Sequence, residues 1–246
     1  MEDKVALMML AYNRLDLTKK TLEGIIKSVT IPFHMIVIDN NSDDGTKEYL
    51  ESFKTGGTMT SFHHLRQSEN MGVVVGRNLG MVKANEIGVD WYSTLDNDVE
   101  MPVGWLKDSI EIMKANPNYG MLGVNMENRK YPLITKGGFK FQHKPRGNLG
   151  TACTVFPKKI HDAIGFFNTE YGLYGEGDAD YGMRIRVAGF QMGYVEKSGI
   201  HLGVGEYDTG EYRKFKTAWF NKNLPMFKSN VNQYYSRTKA IYIPFP

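Results

Sequence analysis

The chain has 246 residues, 41% of them hydrophobic and 23% charged, with a formal net charge of +3. That is enough apolar material for one large α/β core; the charge excess is too small to mark a nucleic-acid binder, although it suits an anionic ligand such as a nucleoside diphosphate. The single cysteine, Cys153, excludes an internal disulfide or a cysteine-based zinc site, and its apolar setting from Ala152 to Phe156 points to a buried thiol rather than a nucleophile.

The first half alternates strand-like and helix-like segments, the pattern of a mostly parallel sheet covered by helices. Val5 to Leu10 is a continuous apolar run, as expected of a strand buried on both faces, and it is too short for a signal peptide or a spanning helix. Leu22, Ile25, Ile26 and Val29 recur at helical spacing, and Pro32 closes that helix. Met35 to Ile38 forms a second strand ending at Asp39. The turn-rich Asn40 to Thr46 then leads into a short helix over Lys47 to Phe53. A third strand is predicted over Ser61 to Leu65, a glycine-bearing helix over Gly72 to Ile87, and a fourth strand over Trp91 to Leu95 that runs into Asp96-Asn97-Asp98.

Next come a helix over Gly104 to Ala115, a strand over Tyr119 to Val124, a hairpin within Leu133 to Phe141, and a strand over Thr151 to Phe156. Asp178 to Ala188 reads as a helix stopped by Gly189, and a strand follows near Met192 to Val195. The tail is polar, aromatic and basic, with a helix predicted from Gly210 to about Asn223 and a stop at Pro225. The whole reads as one domain over residues 1–205, its nucleotide-binding half about 1–100 and its acceptor and catalytic half about 101–205. Residues 206–246 form a tail packed on the same domain. No stretch approaches the ~20 apolar residues needed to cross a bilayer. The expectation is a soluble cytoplasmic protein, at most peripheral at a membrane.

Polar residues collect where strands end: Asn13 and Arg14 after the first, Asp39 after the second, Asp96 and Asp98 after the fourth. Ligands of open parallel sheets bind beyond those carboxyl ends. Asn and Asp also favour turns for their own sake, so the signal lies in three strand ends serving one rim. Two carboxylates one residue apart can offer oxygen ligands to Mg²⁺ or Mn²⁺, which would bridge the phosphates of a nucleotide sugar. Tyr174 to Asp180 places further carboxylates at a helix start. There they either complement the helix dipole or give the cleft a general base.

These segments resemble glycosyltransferase family 2, over roughly residues 4–203. Leu10-Ala11-Tyr12-Asn13-Arg14 is similar to the family's first-strand motif, and Ile38 through Thr46 to its second. Asn70-Met71-Gly72 with Gly76 to Gly80 resembles the third, Leu95-Asp96-Asn97-Asp98 the metal-binding triplet, and Gly175 through Arg184 the segment of the catalytic base. The resemblance implies an α/β GT-A fold: a Rossmann-like, mostly parallel central sheet flanked by helices, a smaller acceptor-side sheet and a C-terminal helical tail.

It also implies roles. Ala11, Tyr12, Asn13, Arg14, Asn41, Gly72 and Asn97 would line the nucleotide pocket, Asp39 would accept a hydrogen bond from the base ring, and Arg77 would approach base or diphosphate. Asp98 would be the principal ligand of Mn²⁺ or Mg²⁺, with Asp96 on the ribose or a metal-bound water and His201 a candidate third ligand. Asp178 would be the general base, with Glu176 as fallback; Gly177 stands where the family commonly has an acidic residue. Trp105, Glu176 and Gly177 would face the acceptor, Trp105 either stacking on a sugar or packing in the core. The implied reaction is an inverting displacement from a UDP-, GDP- or dTDP-sugar to a hydroxyl of a glycan, a lipid-linked sugar, a protein or a modified base in DNA. Two rivals are a sugar-nucleotide nucleotidyltransferase, which the glycine-free stretch from Ala11 to Leu17 disfavours, and a non-catalytic binding module of the same fold.

Overall fold

The computed structural model describes residues 3–126, 129–203 and 210–245. The expected boundary near residue 205 lies outside them. Four strands come first in a Rossmann-like run: β1 (Val5–Ala11), β2 (Phe33–Asp39), β3 (Met59–Arg66) and β4 (Trp91–Asp96). Helices α1 (Leu15–Ser28), α2 (Thr46–Ser52) and α3 (Gly72–Ile87) join them. There follow β5 (Val99–Glu100), α4 (Trp105–Ala115), β6 (Tyr119–Asn125), the hairpin β7 (Leu133–Lys136) and β8 (Phe139–Lys144), then β9 (Cys153–Pro157), α5 (Lys158–Ile164) and α6 (Gly177–Val187). The chain closes with β10 (Gln191–Ser198), β11 (Ile200–His201) and α7 (Gly210–Tyr235).

The main sheet has the order β3-β2-β1-β4-β9-β6-β10-β8-β7 among the described residues, and β5 pairs with β11 in a separate small ribbon. β3, β2, β1 and β4 are parallel, whereas β9 runs antiparallel to both β4 and β6. Burial on both faces explains the unbroken apolar run of β1. Val5, Leu7 and Met9 enter one core layer with α1 and α4, while Ala6 and Met8 enter the other with α3 and α6. The glycines of α3 are contact points: a Cβ on Gly76 would lie 2.3 Å from Leu10 Cδ1. The helix therefore sits closer to β1 than any other residue would allow.

Three expectations are corrected. Helix α5 and the ribbon strands were not foreseen. Trp105 is fully buried in the core at the start of α4 and has no face for an acceptor sugar. Helix α7 does not stop at Pro225 but continues to Tyr235. Pro225 lies on the exposed side of the helix, and the missing backbone bond is offset by anchors on both sides. Asn223 Nδ2 donates to the carbonyls of Tyr171 (2.7 Å) and Tyr174 (2.8 Å), Asn230 Nδ2 to Tyr171 Oη (3.0 Å), and Tyr234 Oη to Asp180 Oδ1 (2.9 Å).

Candidate functional site

The turn between β1 and α1 is unusual in having two consecutive non-glycine residues in the left-handed region, Asn13 (φ 55°) and Arg14 (φ 62°). It is tied to the loop after β2. Asn13 N donates to Ser42 Oγ (2.8 Å), Asp43 N to Asn13 Oδ1 (2.8 Å) and Leu15 N to Asp44 Oδ2 (2.8 Å). Ala11 is buried beneath this turn and Tyr12 is exposed above it. The conformation turns Arg14 toward the end of β4, where its Nη1 meets Asp98 Oδ2 at 2.9 Å.

Asp98 also meets His201 Nε2 at 3.0 Å through Oδ1, because β11 pairs with β5 and sets His201 opposite Val99. Asp96, Asp98 and His201 each present a ligand atom, and these atoms all lie within 4.8 Å of one another. A Cβ on Gly203 would fall 2.3 Å from Asp98 Oδ2, so a side chain there would fill the space against that carboxylate. Asn97 turns the other way: its amide donates to Asn13 O (3.1 Å) and Thr18 Oγ1 (2.8 Å), buttressing the turn from below.

Arg77, buried on α3, joins Asp178 at the start of α6 to Asp96 at the end of β4, in a close ion pair with the former and at 3.1 Å from the latter. Nη2 also reaches Thr151 O (3.4 Å), and Thr151 N donates to Asp178 Oδ2 (3.4 Å) at the entry to β9. Residues far apart in sequence thus share one rim, and Arg77 contacts carboxylates rather than standing free. Burial raises Asp96 above the ordinary carboxylate range; Arg77 opposes this, while Asp98 and Asp178 add to it. The hydrogen bond with Asp98 raises His201, against its burial. Burial and then Asp178 raise Glu176. Three carboxylates, Asp96, Asp98 and Asp178, thus face two guanidiniums and the His201 imidazole.

Gly177 finds a physical explanation. A Cβ there would lie 2.3 Å from Val74 Cγ1, so the acidic residue common at this position has no room against α3. Glu176 takes a left-handed conformation (φ 52°) to start α6. Gly72 is likewise pressed on Leu173, and its carbonyl accepts from Asn40 Nδ2 (3.1 Å). The aromatic start of α7 reaches this rim, with the Arg14 guanidinium 5.5 Å from the Tyr212 ring centre and Tyr174 packed edge-on to Phe220.

Asp39 has a different setting. It is fully buried: Oδ1 accepts from Ser42 N (2.8 Å) and Oδ2 from Arg66 Nη1, while Arg66 Nη2 donates to Asn41 Oδ1 (2.8 Å). His64 Nε2 stands 3.7 Å from Oδ2. Burial pushes this carboxyl up, but His64, Ser42 and Arg66 outweigh it and hold it at about 2. Arg66 and His64 were missed in the sequence, where β3 was expected to end at Leu65. One more residue would have put Arg66 at a strand end on the same rim as Asp39.

The family model for glycosyl transferase family 2 matches residues 7–167. The chain belongs to glycosyl transferase family 2. Among curated relatives, galactofuranosyltransferase GlfT1 of Mycolicibacterium smegmatis is 30% identical over 94 residues, 38% of this chain and 30% of that protein. Glycosyltransferase AglE of Haloferax volcanii is 23% identical over 203 residues, 78% of this chain and 64% of that protein. The family 2 chain thus spans less than two thirds of either relative. Its fold is that of GT-A glycosyltransferases. The mannosyltransferase PcManGT of Pyrobaculum calidifontis, solved with GDP-Man and Mn²⁺, superposes with a TM-score of 0.65 at 15% identity, covering 98% of this chain and 71% of that one. S. aureus TarS 1–349 with UDP-GlcNAc gives 0.61 at 14% identity, covering 95% and 71%. No helix among the described residues is long and apolar enough to cross a membrane.

Proposed function

We propose that this family 2 chain transfers a sugar from a nucleoside-diphosphate sugar to an acceptor hydroxyl with inversion, assisted by a divalent cation. The observation that carries the reading is the Arg77 bridge, which holds a half-exposed carboxylate, Asp178, beside the cation-seeking pair Asp96 and Asp98. Asp96, Asp98 and His201 would hold Mn²⁺ or Mg²⁺: the two carboxylates suit either ion, the imidazole favours Mn²⁺, and the bare Gly203 leaves room against Asp98. When bound, the cation supplies positive charge against the diphosphate as it leaves. Asp178 Oδ accepts the proton of the acceptor hydroxyl, whose oxygen bonds to the anomeric carbon from the face opposite the diphosphate. The bond from that carbon to the phosphate oxygen breaks, and the nucleoside diphosphate carries away the electron pair. Arg77 holds Asp178 in place through their ion pair, and Arg14 adds charge at the phosphate end.

UDP-, GDP- and dTDP-sugars all fit this scheme, as do glycan, lipid-linked, protein or modified-DNA acceptors. The neighbour solved with GDP-Man and Mn²⁺ supports a metal-assisted donor site of this kind. Isothermal titration of UDP and GDP with and without Mn²⁺, followed by turnover of the matching nucleotide sugars, tests the reading. Metal-dependent binding and turnover are expected; binding indifferent to metal, or none at all, would sink it.

A further inference from the structure

Resting on that reading, we infer that the groove between α6, α7 and the 145–150 loop holds part of the acceptor, and that the acceptor it fits is an anionic glycan. The groove has a volume of about 470 Å³. Met183, Phe227 and Val231 form its apolar walls, and Asn148, Lys228 and Asn232 supply its polar groups; no acidic residue lines it.

Position ties the groove to the acceptor. Asp178 stands in the first turn of α6, and Met183 follows about 7.5 Å further along the helix axis, at about 1.5 Å per residue. Asn148 lies just before Thr151, whose N–H meets Asp178. The groove thus begins a short step from the carboxylate that takes the acceptor proton. It also lies away from the nucleotide end, because α6 packs on β10, beyond β4 from β1 and β2. Small residues shape it. A Cβ on Gly182 would fall 2.7 Å from Asn148 Cβ, so the loop closes directly on α6, whereas one on Gly147 would meet nothing within 4 Å. Arg186, one turn after Met183, fixes the loop by donating to Lys144 O (2.8 Å) and Gly147 O.

Charge sets the class of ligand. The net charge of +3 conceals a segregation: residues 129–146 hold six Lys and Arg and no acid, and residues 210–245 hold seven against Glu211 alone. The rest of the chain carries seventeen cations and twenty-six acids. The groove lies where the two basic segments meet. Several of their cations are engaged, Lys140 with Glu196, Lys144 with Tyr131 and Lys239 with Glu170. Exposed Arg146 and Lys228 have no ion pair among the described residues, and the Asn232 side chain, one turn from Lys228, has no hydrogen bond there. An anionic group on the ligand suits Lys228 and Arg146, hydroxyls suit the amides of Asn148 and Asn232, and C–H faces suit Met183, Phe227 and Val231. A glycan bearing phosphate or carboxylate offers all three in one chain. A neutral glycan makes no use of the cations, and an acyl chain makes none of the amides.

The test titrates oligogalacturonate, phosphorylated maltoheptaose and plain maltoheptaose into the chain by calorimetry, without metal, which the anions would otherwise chelate. Three proteins are compared: wild type, the groove variant Lys228→Glu with Arg146→Glu, and a control, Lys20→Glu with Lys54→Glu. The control makes the same charge change at exposed sites by α1 and α2, on the opposite face of the sheet from α6. At least one anionic glycan should bind wild type more tightly than plain maltoheptaose. The groove variant should weaken it about tenfold or more, and the control should leave it within about twofold. Whichever anion binds tighter distinguishes carboxylate from phosphate. UDP and GDP binding in Mn²⁺ should be unchanged in the groove variant. Equal binding of plain maltoheptaose overturns the inference, as do an unaffected groove variant, an equal loss in the control, or no binding of either anionic glycan. Sedimentation with phosphatidylglycerol vesicles in place of glycan binding overturns it in favour of a lipid. If wild type binds no nucleoside diphosphate, the functional reading fails; if it does and the groove ignores anionic glycans, only this inference fails.

Discussion

Two carboxylate–arginine clusters lie along one rim of the sheet, and they are in opposite electrostatic states. At the end of β2, the single carboxylate of Asp39 meets Arg66, His64 and the Ser42 amide, and it is held at about 2. At the end of β4, three carboxylates, Asp96, Asp98 and Asp178, share Arg77, Arg14 and His201, and Asp96 is pushed upward by burial and by its like-charged neighbours. The first cluster is complete without any ligand. In the second, three carboxylates share two guanidiniums and an imidazole, so the two ends of the rim differ in how fully their charge is paired within the chain.

That contrast can be broken at either end. The largest effect is expected at Asp178: Asp178→Asn should lower kcat by about 10²- to 10⁴-fold, the usual worth of a general base, while nucleotide affinity survives. Arg77 retains Asp96 as a partner, so the variant should fold. Transfer at the wild-type rate would remove Asp178 from the mechanism. Next comes Asp98→Ala. Outer partners of metal ligands are worth about 10- to 100-fold in metal affinity, and a direct ligand should cost at least that in a Mn²⁺ titration. An unchanged titration would show that the acidic excess is not a metal site.

The complete cluster is probed by pH instead. Because the folded state holds Asp39 below its ordinary 3.8, its contribution to stability, about 2 kcal/mol, is present above about pH 4 and is lost as the pH falls toward 2. Urea unfolding across that window should show the loss, and Asp39→Asn should flatten this part of the curve. The smallest effect belongs to a third, fully buried pair, Asp180 and Arg184. Tyr234→Phe removes one hydrogen bond to Asp180 Oδ1 but leaves that from Tyr171, so it should cost about 1 kcal/mol in thermal or denaturant unfolding.

The rim was legible because a parallel sheet delivers every strand's carboxyl end to the same side, so Asp39, Asp96 and Asp98 could be placed from buried runs alone. Asp178 and His201 lie on later elements; a carboxylate at a helix start left two readings open for the first, and motif resemblance singled out both residues. Arg184, part of the same motif, proved structural: it donates to Asp180 and to the carbonyls of Ile164, Phe166 and Ile241. It thereby pins the final segment rather than touching the cleft. Arg66 was missed because one residue at a strand end decides whether a side chain counts as rim or loop. The stop at Pro225 was misread because local propensity favours a break, whereas Asn223, Asn230 and Tyr234 supply tertiary anchors that no local window contains. Trp105 illustrates the same blindness, since an aromatic near a cleft motif and one in a core look alike in sequence.

The reversed strand β9 has one more consequence. Because β9 travels the other way, the cleft receives the strand's beginning, and the peptide N–H of Thr151 points at Asp178. Chain direction thus places a neutral donor beside the carboxylate, one that survives every substitution at 151 except proline.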